Sequence, residues 1–385
     1  MKIHFIFSLL SALLIINSAI AEDSISNDWS LNDVTYIYPL PHKLSQNNLK
    51  NVQNYIPQRI ISELPKLSVQ YDKEVLTQMT HAVAIRIDPI HLQIRIVWQP
   101  LTIGPNQTVT TLDAAFHSFY QLSQNEFNHL LFELQTWKKN AGLKNNLQIP
   151  LNIHPLLREE TSRSLAIEKL NEIFFKYCSP NNIIKVTAMV LRGANDMWAF
   201  MGFTLDTSLN LQPIKIPRTQ TAIVQRYINQ AVPFKFFENA MISPLHINLE
   251  DNLVFFLNGA IEKPILTETE ILKALDISYR FENPRIYDAD SLDCVSCHIA
   301  QSAREWINHQ TISIQLNSKN IYQNIHFNLN NMSTEIFNTA QIRGLGYFGS
   351  DLAISQRVIH ESAESADYLN QQRLSLKLKN KRSQK

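Results

Sequence analysis

Residues 82–100, AVAIRIDPIHLQIRIVWQP, carry the pattern that decides the fold. Apolar and polar residues alternate on both sides of a break at Asp88 and Pro89. The apolar positions are Val83, Ile85 and Ile87 before the break, and Leu92, Ile94, Ile96 and Trp98 after it. A period of two is typical of a strand with one buried face, so this stretch predicts a β-hairpin.

Working outward, the neighbouring segments predict further strands and helices. Ser123 and Glu126 form a capping box ahead of apolar residues at helical spacing. Residues 186–191 and 197–205 have the composition of two strands joined by a short turn. Strands and helices are interspersed without strict βαβ alternation, so we predict one α+β domain of unknown role over residues 22–265.

The composition is that of an ordinary globular protein. The chain has 385 residues, of which 45% are apolar and 18% charged, and its formal net charge is +1. Such a chain can bury a core. Because neither sign of charge dominates, the composition gives no reason to propose nucleic acid as a partner.

Residues 1–21 have the pattern of a secretory signal peptide. Lys2 precedes an apolar run that ends in the small-residue pattern of Ala19–Ala21. An uncleaved membrane anchor is the alternative, but a run of about 16 residues broken by Asn17 is short for a span. Nothing after residue 21 resembles a transmembrane segment. We therefore expect a soluble mature protein that is periplasmic or secreted.

Two of the three cysteines lie in the stretch Cys294-Val295-Ser296-Cys297-His298. C-x-x-C-H is the spacing of covalent haem attachment. Each thiol adds across one vinyl group of the haem to form a thioether, and the adjacent imidazole can then reach the iron as its proximal ligand. With this motif the sequence resembles c-type cytochromes, and a signal peptide agrees because such haem is attached after export. The resemblance implies one haem c per chain.

Other interpretations of the motif stay open. Cys294 and Cys297 could form a disulfide, inert or active as in thioredoxin-like proteins. They could bind zinc with His298, although no second Cys or His pair follows at suitable spacing. The motif could also be a chance occurrence. The third cysteine, Cys178, ends an apolar helical segment and is predicted to be a buried, inert thiol.

A six-coordinate iron needs one more ligand. Small c-type cytochromes commonly use a methionine downstream of the motif. Met332 is the only methionine after His298 and is therefore the first candidate. His309, His326 and His360 are the alternatives, and so is an iron with an open position.

The resemblance also implies a mostly α-helical, cytochrome c-like domain over residues 266–385, ending in a basic tail. The sequence departs from small cytochromes because no proline follows Pro284, so a proline-flanked ligand loop is absent. Stretches such as AVAIRIDP and GYFGSDLAISQRV also look like those of an uncharacterised family of exported bacterial proteins that end in a C-x-x-C-H segment.

These observations predict a periplasmic mono-haem c-type cytochrome. It would transfer electrons to a redox partner protein or serve as the haem subunit of an oxidoreductase, and a carrier is favoured over an independent catalyst. The alternative is an exported binding or structural protein whose C-x-x-C forms a disulfide and holds no haem. Residues 22–265 offer no catalytic constellation, and we interpret His81, His91 and His117 as ordinary histidines.

Overall fold

The computed structural model describes ten stretches of the chain, namely residues 29–64, 71–104, 107–143, 146–192, 197–206, 208–229, 240–244, 267–310, 318–333 and 342–383. The predicted signal peptide, residues 1–21, lies outside the described residues. The predicted domain boundary at residue 265 also lies outside them.

The dominant feature of the described residues is an antiparallel sheet of ten strands. Its strands are β1 (Thr35–Ile37), β2 (Thr80–Asp88), β3 (Gln93–Ile103), β4 (Val109–Thr111), β5 (Ala114–Gln121), β6 (Ile183–Arg192), β7 (Met197–Leu205), β8 (Leu211–Pro213), β9 (Val224–Asn229) and β10 (Ala240–Ser243). The main path runs β1-β2-β3-β5-β6-β7-β9-β10, with β4 on β3 and β8 on β7. A separate hairpin joins β11 (Leu345–Phe348) and β12 (Asp351–Ile354).

Helices cover both faces of this sheet. They are α1 (Leu31–Val34), α2 (Gln58–Glu63), α3 (Lys73–Met79), α4 (Gln124–Asn140), α5 (Glu160–Phe175), α6 (Glu268–Glu282), α7 (Cys294–Gln310) and α8 (Gln356–Ser383). The predicted capping box begins α4, where the Glu126 carboxylate accepts from the Ser123 backbone N–H at 2.8 Å. That bond satisfies one of the N–H groups that a helix start leaves unpaired.

The predicted hairpin is confirmed as β2 and β3, with Ile85 opposite Ile96 and Ala84 opposite Val97. The expectation of a single buried face is wrong, because both faces are covered. Ile85 and Ile96 are fully buried in the main core. On the opposite face, Val97 and its neighbour Arg95 line a cavity instead.

The expectation of a mostly α-helical, cytochrome c-like segment over residues 266–385 is wrong. The ten-stranded antiparallel sheet dominates the fold, and the later helices pack against it rather than against one another alone. Tyr347 and Ile359 belong to the same hydrophobic core as the β2–β3 hairpin. The reason is burial: both sheet faces carry apolar side chains, and the C-terminal helices cover what would otherwise face water.

A second cluster of apolar side chains places the motif helix on the sheet. Met189, Trp198 and Phe200 of the sheet pack with buried residues of α6 and α7. The helix side chains in this cluster include Ala274, Leu275, Ile277 and Phe281 from α6, and Val295, Ile299, Ala300, Ala303 and Ile307 from α7. The sheet therefore sets the position of the C-x-x-C-H motif.

Candidate functional site

The helix that carries the motif begins at Cys294 because two buried polar side chains satisfy its first backbone N–H groups. The Asp293 carboxylate accepts from Ser296 N at 3.1 Å. The Gln225 side chain of β9 accepts from Val295 N at 2.9 Å and donates to Asp293 at 2.9 Å. Capping of this kind fixes the first turn. The link to Gln225 also fixes that turn to the sheet.

Cys294, Cys297 and His298 are spaced i, i+3 and i+4, which places them on one side of α7. All three line a cavity of about 350 Å³ between this helix and the sheet. Val295 and Ile299 project to the other side and are fully buried against α6 and the sheet. The motif residues therefore share one cavity wall, and the volume lies within the range of small-molecule and cofactor sites.

The imidazole of His298 is held by its Nδ1 atom. Nδ1 donates to the backbone carbonyl of Ile342 at 2.7 Å. The ring also packs on Phe200, with the ring centroids 5.0 Å apart, and a Cβ added at Gly344 would lie 3.5 Å from Cε1. Burial lowers the pKa of His298, against the opposite effect of the carbonyl, so the ring is neutral near pH 7. Nε2 then keeps its lone pair, as a metal-ligating histidine requires.

Both thiols of the motif are free and neutral. Burial, helped by Asp293, raises the pKa of Cys294 to about 12. Burial likewise raises the pKa of Cys297 to about 11. Reactive redox dithiols have lowered pKa values instead, so this pair lacks the electrostatic setting of a thioredoxin-like site. Cys178 is a buried thiol in the other core cluster, and burial raises its pKa well above the ordinary value, as an inert thiol requires.

The wall opposite the motif is the sheet, and His117 of β5 lies in its middle. His117 pairs in register with Val97 of β3 and with Thr187 of β6, and both of these also line the cavity. Burial lowers the pKa of His117 to about 3, and the nearby charges of His298, Arg86 and Arg95 contribute. The ring is therefore neutral near pH 7.

One end of the cavity holds a buried group of paired charges. Glu361 lies 2.7 Å from Arg86 and 2.7 Å from Arg357. Burial alone would raise the pKa of Glu361, but the two guanidinium groups outweigh it and hold that pKa well below its ordinary value. Glu361 is thus ionised, and it offsets part of the positive charge at this end.

Cationic side chains outnumber carboxylates around the cavity. Lys185 lies 2.5 Å from Asp290, and Arg95 lies in register with Phe119, which is itself in register with Lys185. The cationic lining residues are Arg86, Arg95, Lys185, Lys215 and Arg357, and the acidic ones are Asp290 and Glu361. Five positive charges thus face two negative ones in the lining, and Asp88, which pairs with Arg95 at 2.5 Å from outside the lining, reduces the excess from three to two.

The lining suits a haem. Haem presents a flat apolar ring, two vinyl groups and two carboxylates, and the cavity offers an apolar floor, two thiols, one ligating imidazole and excess positive charge. Among the described residues no group of three or more His, Cys, Asp or Glu side chains is arranged to hold a bare metal ion. The described residues therefore give no support to a zinc site, which needs four close ligands.

The predicted distal ligands lie away from this cavity where the structure describes them. Met332 is 54% exposed. His326 is exposed and pairs with Asp367 at 2.9 Å. His360 is buried, but its Nδ1 donates to the carbonyl of Glu282 at 2.8 Å and its Nε2 accepts from Gln356 at 3.0 Å. The side chain of His309 lies outside the described part of the chain.

Sequence reasoning missed the sheet wall. It treated His117 as an ordinary histidine because nothing in the sequence connects β5 with a motif almost 180 residues later. One signal was present: a histidine at an inward position of a strand whose neighbours are Ala115 and Phe119. Only the strand register and the packing of α7 bring these residues to one cavity.

A scan against protein-family models, a search of curated proteins and a search of solved structures each found no match. Within the ranges that the structure covers, no helix is both long enough and apolar enough to cross a membrane.

Proposed function

We propose that this protein is an exported mono-haem c-type cytochrome, with one haem bound through Cys294 and Cys297 and ligated by His298. The observation that carries the proposal is that these three side chains line one cavity, while the Nδ1 atom of His298 is already bonded to a carbonyl. A motif that occurred by chance would have no reason to face a cavity of cofactor size.

The chemistry of attachment balances with the residues present. Each thiol S–H adds across one vinyl C=C, so that sulfur bonds to one carbon and the proton goes to the other. No oxidant is consumed. The bound haem supplies a one-electron redox couple, and the protein sets its potential through the axial ligands, the surrounding charge and the exclusion of water.

Transfer of electrons to a redox partner protein, or service as the haem subunit of an oxidoreductase, is the function that one such haem supports best. A single attached haem is sufficient for a one-electron carrier. The signal peptide predicted at residues 1–21 agrees, because the periplasm is where haem c is attached.

The test is expression of the full chain together with a cytochrome c maturation apparatus. The mature protein should keep haem stain on a denaturing gel and should carry the added mass of one haem. Replacing Cys294 and Cys297 by alanine should abolish both signals. Cys178→Ala is the matched control, because it removes a free thiol from a different core cluster, and it should leave both signals intact.

A reversible one-electron redox titration of the matured protein should follow. A colourless wild type with the mass of the bare chain would remove the proposal. It would favour the alternative protein whose C-x-x-C forms a disulfide, and a two-hydrogen mass difference on reduction would identify that form.

A further inference from the structure

The cavity has two walls that carry imidazoles. His298 projects from α7, and His117 projects from β5 of the sheet. A ligand that occupies this cavity therefore has a histidine available from each wall.

The sheet floor between these histidines carries one short side chain, Thr187, in the register of His117. Phe200, the ring that packs on His298, comes from β7, and His117 comes from β5. Two strand spacings, about 10 Å, separate β5 from β7. In the register of His117, the position on β6 is Thr187 and the position on β7 is Gly202. Ile214 covers Gly202, because a Cβ at residue 202 would lie 3.1 Å from Ile214 Cδ1. The open space beside His117 is therefore the part of the cavity that Thr187 lines.

The imidazole ring of His117 makes no hydrogen bond within the part of the chain that the structure describes. Buried histidines elsewhere in the protein are held by such bonds: His360 is bonded through both ring nitrogens. His154, which is fully buried, accepts from Leu156 N at 3.2 Å through Nδ1, although its Nε2 has no hydrogen-bond partner among the described residues. His117 is half-buried, and none of its ring atoms is among the buried polar atoms without a partner, so its ring is accessible to a ligand in the cavity that it lines.

Met189 is the strongest rival for this role within the cavity. It lies two residues from Thr187 on β6, on the same face of the sheet. Its partner in register on β7 is Phe200, the ring that supports His298. Met189 therefore lies beside the proximal imidazole, whereas His117 lies across the floor from it.

We propose that His117 is the second axial ligand of the haem iron, on the opposite side from His298. This inference rests on the haem attachment proposed above. It replaces Met332, His326 and His360 as the first candidate, because the lining of the cavity includes none of these three. The iron would have two histidine ligands, one from a helix and one from the middle of a strand.

The experiment uses the matured full-length protein and spectroscopy. Wild type should be low-spin in both oxidation states and should lack the weak band near about 700 nm that marks a methionine ligand. His117→Ala should keep the covalent haem, lose the low-spin spectrum and bind CO about ten-fold or more faster, because no internal ligand must leave first. Added imidazole should restore the low-spin spectrum.

A second substitution tests the position independently. His117→Met should create the band near about 700 nm and shift the reduction potential upward, since a methionine ligand raises it. Met332→Leu, at an exposed residue, is the control and should change neither readout. Met189→Leu is the discriminating variant and should leave the low-spin spectrum as it is.

The outcomes separate the two proposals. A haem-bearing wild type whose spectrum is unchanged by His117→Ala would overturn the ligand assignment and leave the attachment intact. A wild-type band near about 700 nm that disappears in Met189→Leu would do the same in favour of methionine. Wild type that binds CO as fast as His117→Ala would show an open iron. Wild type without haem would overturn both proposals. If His117→Ala fails to fold, His117→Met decides the question, because a haem-bearing His117→Met protein without the band near about 700 nm would overturn the ligand assignment.

Discussion

The Gln99 side chain bonds to both backbone polar groups of Tyr347. Its Oε1 accepts from Tyr347 N at 2.8 Å, and its Nε2 donates to Tyr347 O at 2.9 Å. A side-chain amide thus pairs with β11 as another strand would. The link joins β3 to the hairpin that precedes α8, across almost 250 residues of sequence.

Gln99→Ala should destabilise the protein by about 2 to 4 kcal/mol. The substitution leaves the buried N–H of Tyr347 without its partner and removes one of the hydrogen bonds to the Tyr347 carbonyl. Urea unfolding followed by circular dichroism measures the change. Gln124→Ala, at an exposed residue in the first turn of α4, is the matched control and should shift the midpoint little. Equal shifts for the two variants would contradict the pairing.

Gly346→Ala should also be strongly destabilising. Gly346 has φ of +133°, and a Cβ there would lie 2.3 Å from Gln99 Oε1. Strain and collision together predict a loss of about 3 kcal/mol or more. Gly142→Ala is the control: its φ is +66° with no atom within 4 Å, so the conformational cost alone, about 1 to 2 kcal/mol, should appear.

The two preceding variants should not be additive. In the background of Gln99→Ala, the collision partner is gone, so Gly346→Ala should cost less than it does in the wild type. A double-mutant cycle in urea gives the coupling energy. A coupling energy near zero would mean that Gln99 is not the group that excludes a larger residue at position 346.

Glu361 should make stability depend on pH. Its pKa in the folded protein lies below the ordinary value of 4.5, because Arg86 and Arg357 outweigh the effect of burial. A carboxylate whose pKa is lowered by folding stabilises the fold at pH values above its pKa in the unfolded chain. This stabilisation is lost as the pH falls below that pKa. Glu361→Gln should therefore cost about 3 kcal/mol at pH 7, and the difference from wild type should shrink below pH 4.5.

The matched control for Glu361 is Glu172, an exposed carboxylate paired with Lys169 on the helix surface. Glu172→Gln should change the unfolding free energy little at either pH, because solvent screens such pairs. Unfolding curves at pH 7 and pH 4 would make the comparison. A constant difference between Glu361→Gln and wild type across this range would contradict the ion-pair argument.

The motif thiols of the haem-free protein should react slowly with iodoacetamide. At pH 8 the thiolate fraction should be about 100-fold lower for Cys297, and about 1,000-fold lower for Cys294, than for a thiol with the ordinary pKa of 9.0. Peptide mass spectrometry over time measures the rates. Unfolding in urea should remove the protection, and native rates equal to unfolded ones would contradict the buried setting.

Local pattern was enough to predict several elements of this fold. Alternation predicted β2 and β3, and the Ser123 capping box predicted the start of α4, because both signals depend on neighbours in sequence. The C-terminal architecture was not predictable in this way. The resemblance around Cys294 predicted a haem. No residue near that motif predicts that a sheet built from earlier residues packs against the motif helix.

The site was predictable on one wall and not on the other. Cys294, Cys297 and His298 stand out because their spacing has a chemical meaning. His117 and Arg86 have no such spacing, since strand register and burial create their role. Met332, proposed because it is the only methionine after His298, lies at the surface, since the order of residues along the chain does not show which side chains meet.

The cavity is assembled from distant parts of the chain, because its lining residues run in sequence from Arg86 to Glu361. Its walls come together only after nearly the entire polypeptide has folded. A haem tethered at Cys294 and Cys297 before that moment would be a nucleus around which the sheet and helices close. The cofactor would then be a part of the folding reaction, and the bare chain would be less stable than the finished protein.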